Sequence, residues 1–523
     1  MNAKKDLQPS FYITTAIVYP NGDPHIGFAY ELFLADVIAR YKRQEGYKVH
    51  FLTGMDEHGM KVARSADAAG ISPQHFVDKK AEMYLKLCDS FNISHDQFIR
   101  TSDKEIHWPG AIALWKKMEE KGDIYKDSYE GLYCVGCEAF ITEKELDSEG
   151  ACTIHHKKPE MVSEENHFFK LSSYAGKLKK KIESNEIEIV PERAKNEMLA
   201  MIDEGLRDIS FSRKSEAVLW GIPVPSDPDQ LMYVWCDALS NYISAIGYGR
   251  DKESFEELWP ADIHVIGKDI VRFHVLFWPA MLMSAGLPLP KKILSHGFIN
   301  VEGQKMSKSL GNVIDPFEVI ETYGTEALRF YMAHQWTPFE DVDFSHSDII
   351  EKYNAHLANG IGNLVSRTLK MISLYFGGML EDADASLAPV RHQVEMFAED
   401  QMIEIDSIDG IVTHTIIPQY KKYMDNFEIH HASSTLWSLI TLLDKYISEY
   451  EPYKLIKEDE TKTKAVLWNV AIGLDHVSNL LIPFMPETAE AIKKHCGINR
   501  NEKGVPVSCT ITPLSDPLFN RKK

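Results

Sequence analysis

Residues 11–30 read FYITTAIVYPNGDPHIGFAY. The first nine are β-branched and aromatic and suit a buried strand, which Pro20, Asn21, Gly22, Asp23 and Pro24 then break. Over residues 31–44 the apolar side chains Leu32, Ala35, Ile38 and Tyr41 recur at helical spacing. A second strand is expected over residues 48–53, with another turn at 54–59. Alternation of strand and helix in this way predicts an α/β fold with a parallel sheet, whose ligand site lies at the carboxyl ends of the strands.

Sheet-like runs return at residues 262–266 and 292–299, so the Cys-rich, mixed stretch 122–232 reads as an insertion splitting one nucleotide-binding domain into halves at 1–121 and 233–300. Residues 301–350 carry a Gly-flanked loop and a linking region. Beyond about 350, Ile361, Leu364, Val365, Thr368, Leu369 and Ile372 recur at helical spacing, with further helices expected around 388–405, 410–450 and 463–496. This predicts an all-α helical bundle over 351–523, although the last 25 residues lose periodicity.

Composition bounds the function only loosely. With 523 residues, 44% of them hydrophobic and 26% charged, the chain has material for about three or four globular domains. A net charge of -20 argues against a wholesale nucleic-acid coat but leaves room for local Lys and Arg clusters. Seven cysteines, three of them within residues 134–152, favour reduced thiols and a metal over a disulfide framework. The opening MNAKKDLQPS has no apolar core or Arg-rich amphipathic pattern, and no uninterrupted apolar stretch reaches membrane-spanning length. A cytoplasmic protein without a membrane partner is the expectation.

Four local patterns carry chemistry. His25 and Gly27 fall where the first helix opens, so free backbone N–H groups and the helix dipole would meet a phosphate. Residues 301–316, VEGQKMSKSLGNVIDP, place Lys305 and Lys308 in a Gly-flanked loop, a second cationic element for a triphosphate. Cys134, Cys137, Cys152 and His155 form CxxC and CxxH pairs, the pattern of a closed tetrahedral structural Zn2+ site, one per chain, with His156 a rival fourth ligand. Asn363 and Arg367 are four apart and share a helix face. The aromatic runs YVWCDALSNY (233–242) and IVRFHVLFW (270–278) would by themselves read as core packing.

Taken together, the PHIG and KMSKS segments resemble the two ATP-binding motifs of class I aminoacyl-tRNA synthetases, and the remaining motifs resemble the methionyl family over residues 11 to about 518. The resemblance implies a Rossmann-like catalytic domain split by a zinc-binding insertion and followed by an anticodon-binding bundle. It implies ATP with Mg2+, L-methionine and tRNA(Met) as partners, and a methionyl-adenylate transferred to the terminal adenosine of the tRNA. His25 would touch the phosphates, Lys308 would neutralise the leaving pyrophosphate with help from Lys305, and Gly267 and Asp269 would lie near the nucleotide. Ala16, Ile17, Tyr19, Trp235, Ala238, Tyr242, Ile270, Phe273, His274 and Trp278 would enclose methionine, with Asp56 on its ammonium. Contacts to sulfur would come from the Ile17 N–H and the Tyr242 hydroxyl. Asn363, Arg367 and Tyr453 would read the anticodon.

Two positions depart from the family pattern: Phe28 replaces a second histidine, and Tyr453 replaces the usual tryptophan. They are the only support for another reading, a zinc-stabilised RNA-binding module without catalysis. The editing enzymes for leucine, isoleucine and valine need a larger insertion than about 110 residues, and the cysteinyl branch uses an open zinc site. No appended oligonucleotide-binding module follows residue 500, so a monomer is expected.

Overall fold

The first strand, Ser10–Thr15, stops four residues before its apolar run ends. Beyond it the chain leaves the sheet along its carboxyl edge: the Ala16 N–H reaches Val265 O at 3.1 Å and the Val18 N–H reaches Gly54 O at 2.9 Å. Helix Ile26–Gln44 starts five residues earlier than apolar spacing suggests, because His25 caps it by accepting the Gly27 N–H on Nδ1 at 3.1 Å. Histidine is an uncommon cap, which is why the usual Ser, Thr, Asp or Asn signal was missing.

The computed structural model describes residues 8–20, 22–134, 139–141, 146–154, 156–215, 220–306, 311–381, 383–390 and 407–522. They form two compact units, 1–298 and 299–523. In the first, a six-stranded parallel sheet has the order Gln97–Arg100, Lys48–Met55, Ser10–Thr15, Ile263–Gly267, Lys292–His296, Glu188–Val190. Ile13 pairs with both Phe51 and Ile263, so strands about 250 residues apart in sequence are neighbours at the centre. The two halves of the sheet run outward in opposite directions from this pair, which makes it the topological switch point.

Within the stretch read as an insertion, residues 188–190 return to the main sheet as its edge strand, Ile189 pairing with Ile293. Three residues are too few for a periodic signal. The rest of that stretch holds a four-stranded antiparallel sheet built on the long pair Ile124–Cys134 and Glu160–Phe169.

In the second unit, Ile299–Val301 pairs antiparallel with Gln304–Lys305 and parallel with Val342–Phe344. The expected run over 292–299 is therefore two strands, the first ending at His296. Helices Asn363–Phe376, Ile429–Tyr450, Glu460–Leu481 and Pro486–Cys496 dominate the remainder of this unit. The expected 410–450 helix breaks at Phe427, whose φ is 61°, and the 463–496 helix breaks where Pro483 and Pro486 forbid continuation. Most of the expected 388–405 helix lies outside the described residues. The aperiodic tail holds strands Ile498–Arg500 and Pro506–Thr510, which pair with each other and, through the second, with Met379–Glu381.

Candidate active site

At the switch point the strands Ser10–Thr15 and Ile263–Gly267 lie side by side, and the His25 cap follows the first of them in the chain. Since Nδ1 of His25 accepts from Gly27, the ring proton sits on Nε2, a donor suited to a phosphate oxygen. Phe28 lies against the same ring, with centroids 4.1 Å apart and planes at 28°, and meets Tyr84 edge-on at 5.7 Å. Its phenyl group packs with Val18, Met55, Ala81 and Tyr84, so this position contributes apolar contact to the cap instead of a second donor. At the end of the strand Ile263–Gly267, a Cβ on Gly267 would stand 2.8 Å from Asp269 Oδ1, so a side chain there would require the Asp269 carboxylate to shift.

Two groups here were not singled out by motif. Glu31 accepts the Ala16 N–H on Oε1 at 2.9 Å and faces His296 Nε2 through Oε2 at 3.2 Å. His296 Nδ1 donates to Gly297 O at 2.8 Å. Burial pushes the Glu31 carboxyl up; burial opposes charge on His296, but the Glu31 carboxylate outweighs it and raises the imidazole. A shared proton between them satisfies both. Their 265-residue separation hides the pair from any spacing argument.

The aromatic segments pack together, the second of them directly after the strand Ile263–Gly267. Ala16, Ile17, Tyr19, Trp235 and Ile270 pack, partly buried, against the core that holds Phe273, Tyr242 and Trp278. Ala238 is buried in helix Val234–Leu239. Trp235 and Phe273 stack at 3.6 Å with planes 7° apart, and Lys61 Nζ sits 5.4 Å from the Tyr19 ring. Phe273 and His274 lie on a π-helical turn, Phe273–Phe277, a distortion that recurs at functional sites.

Hydrogen-bond geometry fixes the protons in the buried part of this cluster. His274 Nδ1 lies 3.0 Å from Ile270 O, a carbonyl that can only accept, so Nδ1 carries the hydrogen. Burial pulls this ring down to about 4, so it is neutral and Nε2 is a lone pair. Tyr242 Oη, 2.7 Å away, must then donate to it. The hydroxyl proton is committed to His274, and the oxygen presents lone pairs to anything else in the cluster. By the same reasoning Trp278 Nε1 donates to His264 Nε2 at 3.3 Å, and His264 Nδ1 donates to Thr14 Oγ1 at 2.7 Å. The Ile17 N–H, between two bonded neighbours, makes no hydrogen bond among the described residues.

Asp56 follows the second strand, is nearly buried, and donates its backbone N–H to Val18 O at 2.8 Å. Of the four knuckle residues, Cys134 and Cys152 are buried in one small cluster with Ile141, while Cys137 and His155 lie outside the described residues. Among the described residues no group of three or more His, Cys, Asp or Glu is placed to hold a metal. His156 is 79% exposed and stands 4.0 Å from Asp147. The remaining cysteines, Cys88, Cys236, Cys496 and Cys509, are buried.

In the second unit, Lys305 is exposed on the strand Gln304–Lys305, and Lys308 lies outside the described residues. Asn363 opens its helix and is exposed. Arg367, one turn on, is held by Asp444 at 2.8 Å. Tyr453 is 51% exposed, its hydroxyl donates to Glu451 at 2.7 Å, and Lys454 Nζ sits 5.8 Å from its ring centroid.

The family model for class I (M) tRNA synthetases matches residues 11–150 and 144–369, and that for the anticodon binding domain of methionyl tRNA ligase matches 406–514. The chain belongs to the class I methionyl-tRNA synthetases. Among methionyl-tRNA synthetases, the methionine–tRNA ligase of Caldanaerobacter subterraneus subsp. tengcongensis is 42% identical over 95% of this chain and 75% of its own length. That of Brucella suis is 41% identical over 92% of this chain and 90% of its own. The solved Mycobacterium tuberculosis methionyl-tRNA synthetase in complex with methionyl-adenylate matches with a TM-score of 0.89 at 35% identity, covering 98% of this chain and 100% of that one.

Proposed function

We propose that this synthetase activates methionine with ATP at the switch point and transfers it to tRNA(Met). The methionine carboxylate attacks the α-phosphate in line, forming methionyl-adenylate as the bond to pyrophosphate breaks. A terminal adenosine hydroxyl of the tRNA then attacks the activated carbonyl and AMP leaves. Such chemistry needs positioning and charge stabilisation more than side-chain acids or bases.

The observation that supports this reading is the pairing, within one unit, of a histidine-capped helix start with a stacked aromatic cluster, each following one of the two strands that meet at the sheet's switch point. His25 Nε2–H and the Gly27 region would meet the phosphates, Gly267 and Asp269 the nucleoside side, and Lys305 and Lys308 the leaving pyrophosphate. Mg2+ would arrive with ATP and neutralise its phosphates. Asp56 would hold the ammonium, the Ile17 N–H, unbonded among the described residues, would face sulfur, and Tyr242 would line the thioether through its oxygen. Methionine-dependent exchange of pyrophosphate into ATP tests the reading. His25→Ala should lower the exchange rate by about 10²-fold or more, whereas a wild-type enzyme without exchange would leave only the RNA-binding module.

Zinc in the knuckle is part of the same reading. Two buried thiols in one apolar cluster suit a closed structural site, and the outward exposure of His156 favours His155 as the fourth ligand beside Cys134, Cys137 and Cys152. Bound zinc would cross-link the insertion and stabilise its fold. Cys152→Ser should lose one equivalent of zinc by elemental analysis; full retention would count against the site.

Asn363, Arg367 and Tyr453 are assigned to the anticodon, with Asp444 orienting the arginine and the exposed Tyr453 face available for stacking. We assign the division into split catalytic domain, 122–232 insertion, 301–350 linking region and 351–523 anticodon domain to these roles, with residues 188–190 of the insertion returning to the catalytic sheet. A cytoplasmic monomer completes the proposal, and light scattering tests its oligomeric state. Among the described residues, no helix is long and apolar enough to cross a membrane.

A further inference from the structure

A buried carboxylate that is not among the assigned substrate positions sits on the short helix that carries Trp235 and Ala238. Asp237 is fully buried in helix Val234–Leu239, between Trp235 and Ala238 in sequence. Its Oδ2 lies 2.6 Å from Nδ1 of His58, and its Oδ1 lies 2.7 Å from Nε2 of His107. Both histidines are buried, and His107 Nδ1 continues to Ser244 Oγ at 2.8 Å. One side chain thereby ties together the loop after strand Lys48–Met55, the start of helix Trp108–Glu120 and the segment bearing Trp235 and Tyr242.

The loop being held is the one that carries Asp56. Its next residue, Glu57, is buried and accepts from Arg100 Nε at 2.6 Å and from Ser102 Oγ. The Glu57 N–H donates to Thr101 Oγ1 at 2.8 Å, and its carbonyl accepts from Trp220 Nε1 at 2.7 Å. Asp56 is thus followed by two buried polar residues, each locked by directional bonds to a different element.

Stability alone is a poor reason for such an arrangement. Buried ion pairs are often matched or exceeded in stability by well-packed apolar residues of the same volume. What directional bonds add is geometry: two carboxylate oxygens, each facing one imidazole nitrogen, fix distance and angle where apolar packing would allow sliding. Burial would raise the Asp237 carboxyl, but His58 and His107 together outweigh it and hold the group down at about 2, so the anchor stays ionised across the neutral range. The partner atom also differs between the two rings.

We propose that Asp237 is a positioning residue which, through His58 and His107, holds Asp56 in register with the aromatic cluster and so sets methionine binding. This rests on the assignment of Asp56 and the cluster to methionine.

The test uses pyrophosphate exchange by the full chain, with thermal unfolding followed for every variant. Asp237→Asn keeps the shape, but its amide nitrogen cannot accept from the second imidazole. Methionine KM should rise about tenfold or more while ATP KM stays within about twofold. An atom-specific pair of substitutions sharpens this. The amide nitrogen of asparagine reaches the place of histidine Nδ1, and that of glutamine reaches Nε2. At His58, which bonds through Nδ1, H58Q should show a methionine KM about tenfold above that of H58N; at His107, which bonds through Nε2, the order should reverse.

If Asp237→Asn does not fold, these two pairs still decide. Equal behaviour of Asn and Gln at both sites, or methionine and ATP KM rising together in step with lost thermal stability, would overturn the proposal and leave a purely structural network. A wild-type enzyme without methionine-dependent exchange would instead fail the underlying pocket assignment, a result distinct from active wild type with indifferent variants.

Discussion

Tyr242→Phe removes one oxygen from a place that water does not reach. Tyr242 and His274 are each 1% exposed, and Oη donates to Nε2 at 2.7 Å. His274 cannot recover by switching tautomer, because its Nδ1 hydrogen is held by Ile270 O. The variant therefore strands a buried acceptor, a loss of about 1–3 kcal/mol. At roughly 2–4 °C per kcal/mol for a large domain, the unfolding temperature should fall by about 2–12 °C. Substrate choice should respond differently. The hydroxyl proton already belongs to His274, so the oxygen offers a thioether no proton that a phenyl ring would take away. Discrimination of methionine against norleucine, measured as the ratio of kcat/KM in pyrophosphate exchange, should stay within about threefold of wild type. A tenfold loss of discrimination, about 1.4 kcal/mol, with an unchanged unfolding temperature would show that the proton goes to sulfur and that the bond to His274 is incidental.

Phe28→His introduces a possible second phosphate donor but removes a ring stacked on His25 and packed against Tyr84. The exchange rate should change by less than about tenfold, and a larger gain would show that the phosphate clamp is incomplete in the native chain. Tyr453→Ala deletes an exposed stacking face and should slow tRNA charging by about 1–3 kcal/mol while sparing adenylate formation; equal losses in both assays would contradict an anticodon role. His274 is held at about 4 against an ordinary 6.5 by burial, so the unfolded chain binds the proton first as pH falls. Its contribution is fully present above pH 6.5 and declines toward pH 4, by about 2 kcal/mol at pH 5. Denaturant unfolding at pH 7 and pH 5 should show the loss in wild type and less of it in His274→Gln; equal losses in the two would contradict this account.

Local patterns in the chain were legible because covalent geometry writes them into spacing. The apolar run before Pro20, the helical period through Tyr41 and the CxxC and CxxH pairs each depend on neighbours within a few turns. Boundaries were less legible. The first strand ends at Thr15 although Ala16 and Val18 still bond to its two neighbours at Val265 and Gly54, and His25 starts the helix through a cap that composition does not advertise. Residues 188–190 joined the main sheet because Lys292–His296 offered an edge, something no three-residue window contains.

The sequence alone was sufficient for the parallel α/β class, the carboxyl-terminal helices and the motifs of a methionyl-tRNA synthetase, since periodicity and motif spacing are properties of the covalent chain. Tertiary structure decided which strands meet at the switch point, that Glu31 faces His296, that Asp237 binds His58 and His107, and that the Tyr242 proton points to His274. The reason is desolvation. In water any of these groups could satisfy itself with solvent; once buried, each must take the partner the fold delivers.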